Sequence, residues 1–332
     1  MASTACRSRL VPFDIPPADR FVTLFNSPPG EIKGSSEESP VLKALERTLA
    51  SVHESIVLLA PSAASAAGVS HNVVVDGRRH RQLIQDLQRF RGRIYLKDGA
   101  LQPHQLSPSG LHRTPEDERG WHLLSINAHG QVRACALYLE HHNTVSFDDL
   151  RVRHSALASD AEWRPKLTIA IASELARARH EGLKYVELAG WAVAEESRGT
   201  SGPLALALAV YGFSRRRGGD ALGLTTATFR HCSAIILKRL GGARFDVDGF
   251  ELPPYFDPTY NCMMEMLRFD SRRPNPKYVG LIDAVTEKLS SVLVIARPVM
   301  AKARSADAVV NVDLDSIGRF SPAEAGRVAL AS

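Results

Sequence analysis

A mixed α/β fold, with a central sheet covered by helices on both faces, is predicted by three features of the sequence: an antiparallel hairpin pattern, strand and helix patterns that alternate after it, and one helix-length segment that is apolar all round. The hairpin comes from residues 121–126 and 132–139, two apolar strand-like runs joined by turn residues at 127–130. The apolar segment, 203–213, reads as a helix buried on every side.

The first residues hold Pro16, Pro17, Pro28, Pro29 and Pro40 among few periodic apolar positions and read as an irregular arm. A helix is expected over 41–59, where Val41, Leu45, Leu49, Val52 and Ile56 recur at helical spacing and Pro61 stops it. Residues 62–70 read as a linker. A second helix carrying Leu83, Leu87 and Phe90 starts near Arg79, leads into a short strand at 93–96 and marks a domain boundary. After the hairpin, the stripe of Leu167, Ile171, Leu175 and Ala178 predicts a helix over 162–180 stopped at Gly182. A strand follows over 184–194, then a loop over 195–202, then the buried helix, for which Pro203 suits a first position. Residues 221–227 read as a strand, 230–240 as a helix closed by Gly241 and Gly242, and 262–269 as a late strand. The expected organisation is an arm with one helix over 1–78, an α/β domain over 79–270, a helix and strand packed on it over 271–300, and a weakly ordered tail over 301–332.

At 332 residues, with 44% hydrophobic and 23% charged, the chain can bury a full core, which argues against global disorder. Cys6, Cys135, Cys232 and Cys262 lie far apart without a CxxC pair; this argues against a disulfide framework or a zinc site and fits a reducing cytoplasm. The histidines show no HxxxH or HExxH spacing, so a metal hydrolase is not expected. No charged and then apolar leader opens the sequence, and the run 203–213 falls short of the ~20 residues that cross a bilayer, so neither secretion nor a membrane span is expected. The 41 Lys and Arg against 36 Asp and Glu give a mildly basic chain that suits phosphates or an acidic carrier protein. Nucleic acid is not expected, because the basic residues are scattered and the densest run, 215–217, has no interleaved aromatic platform.

The loop 195–202 lies between a strand end and a helix start, where backbone N–H groups and the positive end of the helix dipole suit a phosphate. Arg198 adds a fixed charge, Gly199 and Gly202 allow close backbone approach, and Thr200 and Ser201 bring hydroxyls. The same residues would also make a plain helix cap beside a surface arginine. The wider stretch 186–200, Val-Glu-Leu-Ala-Gly-Trp-Ala-Val-Ala-Glu-Glu-Ser-Arg-Gly-Thr, resembles the fourth strand and donor loop of the Gcn5-related N-acetyltransferase (GNAT) superfamily. Residues 226–245 resemble the strand end, helix and Gly-Gly-x-x-Phe turn that follow, and 90–139 the opening helix and hairpin, so the resemblance covers 79–270. It implies a GNAT fold, in which the strand ending at Val193 and Ala194 splays from its neighbour and offers backbone N–H groups to a thioester and its pantetheine arm. Arg198, Gly199, Thr200, Ser201 and Gly202 would then surround phosphate. The loop departs from the family's Arg-x-x-Gly-x-Gly/Ala pattern at Ser201 and Pro203, and Pro203 has no N–H to give. Such a depleted cradle suits an acyl carrier protein, with its single phosphodiester, better than plain acetyl-CoA. Within the superfamily the chain is most similar to the N-acyl amino acid synthases and acyl-homoserine lactone synthases, through Arg89-Phe-Arg-Gly-Arg-Ile-Tyr95, Trp121-His122 and Tyr260-Asn-Cys-Met-Met-Glu-Met-Leu-Arg-Phe-Asp270.

The resemblance implies an N-acyltransferase that takes an acyl group from acyl-CoA, or from acyl-phosphopantetheine on an acyl carrier protein, to the amine of a small molecule such as an amino acid. Direct attack in a ternary complex, without a metal, is the implied route; it calls for a base and for oxyanion donors. Glu187, mid-strand beside the expected splay, is the base if it points into the cleft and a structural carboxylate if it points to the other face. Glu195 and Glu196 lie nearer the loop, where carboxylates also simply favour the helix dipole. His231 is a candidate proton relay or phosphate ligand, or else a capping residue. Cys232 sits beside it at a helix start, with no His–Asn or His–Asp set to activate it. The superfamily's acidic tyrosine is missing, since Leu237 and Lys238 occupy its region. Trp191 and Met264 are candidate walls of an acyl pocket, with core packing as the other role. The alternative is a catalytically degenerate module that binds CoA or carrier protein as a sensor or scaffold, suggested by Ser201, Pro203 and the missing tyrosine.

Overall fold

In the computed structural model, which describes residues 56–299 except Gly199, His231 and Asp248, strand β1 (Ile56–Ala60) is buried along its whole length. Leu58 packs into one apolar layer and Val57 and Leu59 into the opposite one. An unbroken apolar run marks a strand covered on both faces. So short a run carries no period of its own, which is why the helix expected over 41–59 ends in a strand; residues 41–55 lie outside the described ones. The stretch read as a linker holds a short helix, α1 (Ala63–Ala66), capped by Ser62. An edge strand, β2 (Val73–Val75), was not expected at all.

Asp76 opens helix α2 (Gly77–Lys97), its carboxylate accepting from the N–H groups of Arg78 (3.0 Å) and Arg79 (2.9 Å). The strand expected at 93–96 is the last turn of this helix. Ile84, Leu87, Arg91 and Ile94 share its buried face, and the charge on Arg91 masked the stripe.

The remaining elements are β3 (Trp121–Ile126), β4 (Val132–His141), α3 (Ala156–Ser159), α4 (Trp163–His180), β5 (Lys184–Val193), α5 (Gly202–Arg216), β6 (Ala221–Thr228), α6 (Ser233–Arg239), β7 (Ala243–Arg244), β8 (Asp246–Val247), β9 (Phe250–Glu251), β10 (Tyr255–Asp257), β11 (Cys262–Asp270), α7 (Val279–Lys288) and β12 (Leu293–Ala296). The β3–β4 turn is held by Asn127, whose Oδ1 accepts from the N–H groups of His129 (3.0 Å) and Gln131 (2.9 Å).

The main sheet runs β10-β11-β6-β5-β4-β3-β1-β12-β2, with β7 added on β11. Pairs β1–β12, β12–β2 and β5–β6 are parallel and the others antiparallel, so the class is mixed α/β. Because β1 and β2 belong to this sheet, no boundary near residue 79 divides it. Helices α5 and α7 cover one face, and α2 and α4 the other. Helix α5 is apolar all round because it lies between the sheet and α7. Gly212 permits that contact: a Cβ there would stand 2.9 Å from Thr286 Oγ1.

Candidate functional site

The site begins where two parallel strands part. Pairing of β5 with β6 runs from Lys184↔Ala221 to Leu188↔Thr225 and ends there, although β5 continues to Val193 and β6 to Thr228. Thr225 Oγ1 closes the last pair by donating to the Leu188 carbonyl at 2.7 Å. On its other edge β5 carries a bulge against β4, between the pairs Leu137↔Ala189 and Cys135↔Ala192. Gly190 sits in the bulge at φ +62, a left-handed conformation that glycine adopts without strain. The extra residue bends β5 away from β6.

The gap opens into a cleft of about 400 Å³. From the α5 face it is walled by Leu206, Ala207, Val210, Ile236, Leu237 and Phe269, an apolar slot. From the opposite face come Tyr95, Asp98, Arg151, Tyr260, Cys262 and Met264, a mixed and more polar wall.

A buried ion pair supports that second wall. Arg91, 1% exposed, donates to both carboxylate oxygens of Asp117 (3.0 and 2.8 Å) and through Nε to His112 Nδ1 (3.0 Å). Asp117 also accepts from Gln88 Nε2 and from the N–H and hydroxyl of Thr114. The Arg91 guanidinium fills the space that a side chain at Gly190 would need, 3.3 Å from the position of its Cβ. Tyr95 stacks edge-on against His112 and Tyr260 and donates its hydroxyl to the Trp191 carbonyl (3.1 Å), fixing the bulge from below.

Burial opposes charge on Asp117, but the hydrogen bonds and charge of Arg91 outweigh it and hold the carboxyl at about 2. Burial, with the charge of Arg91, lowers His112 to about 4, and burial lowers His122 to about 4. Both imidazoles are therefore neutral in the fold, while in the unfolded chain they titrate near 6.5. Between pH 6.5 and about 4 the unfolded chain binds protons that the fold refuses. Stability is then full above the unfolded value and falls as acid is added. The urea midpoint is expected to drop steadily from pH 7 to pH 4.5; a flat midpoint over that window would contradict these assignments.

The expected donor loop reaches the cleft mouth in a definite arrangement. Ala194 gives its N–H to the Arg133 carbonyl of β4 at 2.8 Å, so by strand alternation Val193 is the residue whose edge faces the gap. Arg198 donates through Nε to the Val193 carbonyl (3.2 Å) and chelates Asp98 with Nη1 and Nη2 (3.0 and 2.7 Å). The carbonyl of Asp98 takes Arg230 Nη1 (2.6 Å), so the end of α2 bridges both sides of the opening. Thr200 Oγ1 donates to the Ser197 carbonyl and accepts from the Gly202 N–H, tying the loop to itself. Ser201 is the N-cap of α5, with no side-chain capping bond, and Pro203 lines the cleft. Gly199 and His231 lie outside the described residues.

Glu187 is turned away from the cleft. It is buried on the α4 face and accepts from the N–H groups of Arg151 (3.0 Å) and Val152 (3.2 Å) and from His141 Nε2 (3.0 Å). Glu187 is therefore a structural carboxylate, bound at both oxygens by the turn at Arg151, and does not line the cleft as a base would. Glu195 and Glu196 pair with Lys97 and Arg133 at the surface. Trp191 and Met264 both line the cleft; the indole Nε1 has no partner among the described residues. Leu237, in the region of the missing tyrosine, also lines it, and Lys238 pairs with Glu265 (2.8 Å). Cys232 lines the cleft as a left-handed N-cap of α6. Asp98, Arg151 and Arg230 were missed. Tyr95 and Tyr260 lay within stretches noted for their resemblance without being singled out.

Sheet, cleft and loop define a mixed α/β protein that opens between two parallel strands over an apolar slot. No family model matches the sequence, and no curated protein does. Solved structures similar to this chain include the CoA-dependent acyl-homoserine lactone synthase BjaI with SAM and isopentyl-CoA, at TM-score 0.45 and 12% identity, covering 73% of this chain and 92% of that one. FeeM, an N-acyl amino acid synthase from uncultured soil microbes, is similar at TM-score 0.37 and 14% identity, covering 60% and 88% of the two chains. Arylalkylamine N-acetyltransferase 2 from Aedes aegypti is similar at TM-score 0.37 and 16% identity, covering 59% and 96%. Among the described residues no helix is long and apolar enough to cross a membrane, and no group of His, Cys, Asp and Glu is placed to hold a metal.

Proposed function

We propose that this chain is an N-acyltransferase of the GNAT type, which moves an acyl group from acyl-CoA or acyl-phosphopantetheine to the amine of a small acceptor, an amino acid. The observation that carries this reading is the parting of β5 from β6 over an apolar slot. Unpaired strand edges offer amide groups to a pantetheine arm, and the slot between α5 and α6 accepts an apolar chain. In the reaction the amine nitrogen attacks the thioester carbonyl: a C–N bond forms, the C–S bond breaks, and the leaving thiolate gains a proton as the amine loses one. Holding the two reactants in one cleft supplies the main advantage, and no covalent enzyme intermediate is needed.

Arg198 is the proposed phosphate ligand, exchanging Asp98 for the phosphate when the acyl donor arrives. Arg198→Ala is expected to weaken acyl-CoA binding about 10- to 100-fold, matching a charge-assisted bond of about 1.5–3 kcal/mol. Titration calorimetry with acyl-CoA and with acyl carrier protein reads that loss and shows which carrier is preferred. The activity itself is tested by mass spectrometry after the purified chain is mixed with acyl thioesters and amino acids. An N-acyl product with equal release of free thiol supports the reading. Tight binding without product would point instead to a sensor or scaffold.

A further inference from the structure

The α2 and α4 side of the cleft carries a guanidinium that the acyl donor does not require. Arg151 enters there beside Tyr95 and Tyr260, on the face of the sheet opposite α5. We infer that Arg151 holds the carboxylate of the amino acid whose amine attacks the thioester, an assignment that rests on the acyltransferase reading above.

The side chain is fixed from two directions. Its backbone N–H is bound by Glu187 Oε2 at 3.0 Å, and the next N–H, of Val152, by Glu187 Oε1 at 3.2 Å. Its Nη1 pairs with Glu116, which sits in the same short turn as Asp117 and so inherits the rigidity of the Arg91 pair. Nε and Nη2 have no partner among the described residues, and the side chain remains 28% exposed. A guanidinium held at one nitrogen and open at the others meets a carboxylate by paired hydrogen bonds. Among the described lining residues the only carboxylate is Asp98, already chelated by Arg198. Arg151 therefore has no counter-charge inside the cleft, while the acyl donor's phosphate has Arg198. Glu187 and Glu116 become positioning residues, the first through the backbone and the second through the side chain.

The test compares each of the twenty protein amino acids with its carboxamide, using steady-state acyl transfer by the whole chain. The wild type is expected to favour acids over amides at least about tenfold in kcat/KM. Arg151→Ala is expected to lower kcat/KM for acids about 10- to 100-fold, chiefly through KM, and to lower it far less for the amides. Arg151→Lys should recover part of the loss, and Glu116→Gln should raise KM for acids less than Arg151→Ala does. Equal use of acids and amides by the wild type, or an equal loss for both in Arg151→Ala, overturns the role of Arg151 while leaving the acyltransferase standing. Absence of transfer to every amine overturns both.

Discussion

Asp117→Ala is expected to destabilise the fold by about 3–5 kcal/mol, the range for removing one partner of a buried ion pair. The substitution leaves the Arg91 guanidinium, 1% exposed, without its carboxylate and strips Gln88 and Thr114 of an acceptor. Against a typical stability of about 5–15 kcal/mol, that is a large share. Urea unfolding at pH 7 reads it directly. A loss below about 1 kcal/mol would mean that water reaches Arg91 and that the pair does not anchor the wall. Replacing both residues, as Arg91→Met with Asp117→Leu, should restore part of the stability, because an apolar pair carries no desolvation penalty. That double variant should bind the acyl donor less well than the parent chain, since it removes the guanidinium that fills the space beside Gly190.

Val210→Trp is expected to abolish transfer of long acyl chains, by about 100-fold or more, while the chain stays folded. Val210 is partly exposed on α5 and lines the apolar slot, so the added ring volume enters the cleft before it enters the core. A blocked slot prevents the thioester from reaching its attack position, and misplacement of about 1 Å is enough for a loss of that order. Acyl-CoA substrates of increasing length separate this effect from general damage. The penalty should grow with chain length and be small for acetyl-CoA. A penalty independent of length would place the acyl chain somewhere other than between α5 and α6.

What the sequence made legible was local. Leu167, Ile171, Leu175 and Ala178 announced α4, Asn127 and Gly130 announced the hairpin, and the apolar run after Pro203 announced a helix buried on all sides. Strand β1 escaped because its partners are distant: β3, and β12 near the end of the described residues. No window around Ile56 contains the pairing that makes it a strand. Strand β2 escaped for a similar reason, being a short exposed edge held by β12 alone.

The site divides the same way. Val193, Arg198, Trp191 and Met264, all of which line the cleft, stand out in the sequence because loop pattern and strand position identify them one segment at a time. Asp98, Arg151 and Tyr260 come from three separate segments that only the folded sheet brings to one cleft. Alternation leaves two faces open to Glu187, and choosing between them requires the turn at Arg151, whose N–H groups claim the carboxylate. The residue sought as a base thus holds the turn that carries Arg151 to the cleft.

Hydrogen exchange of the backbone amides, with and without acyl-CoA, tests most directly whether the gap between β5 and β6 is the acyl-donor site. Exchange is expected to slow over residues 189–193 and 225–228 on addition of acyl-CoA, and less so in Arg198→Ala at the same concentration. Unchanged exchange over those two strand ends, with protection appearing elsewhere on the chain, would contradict it.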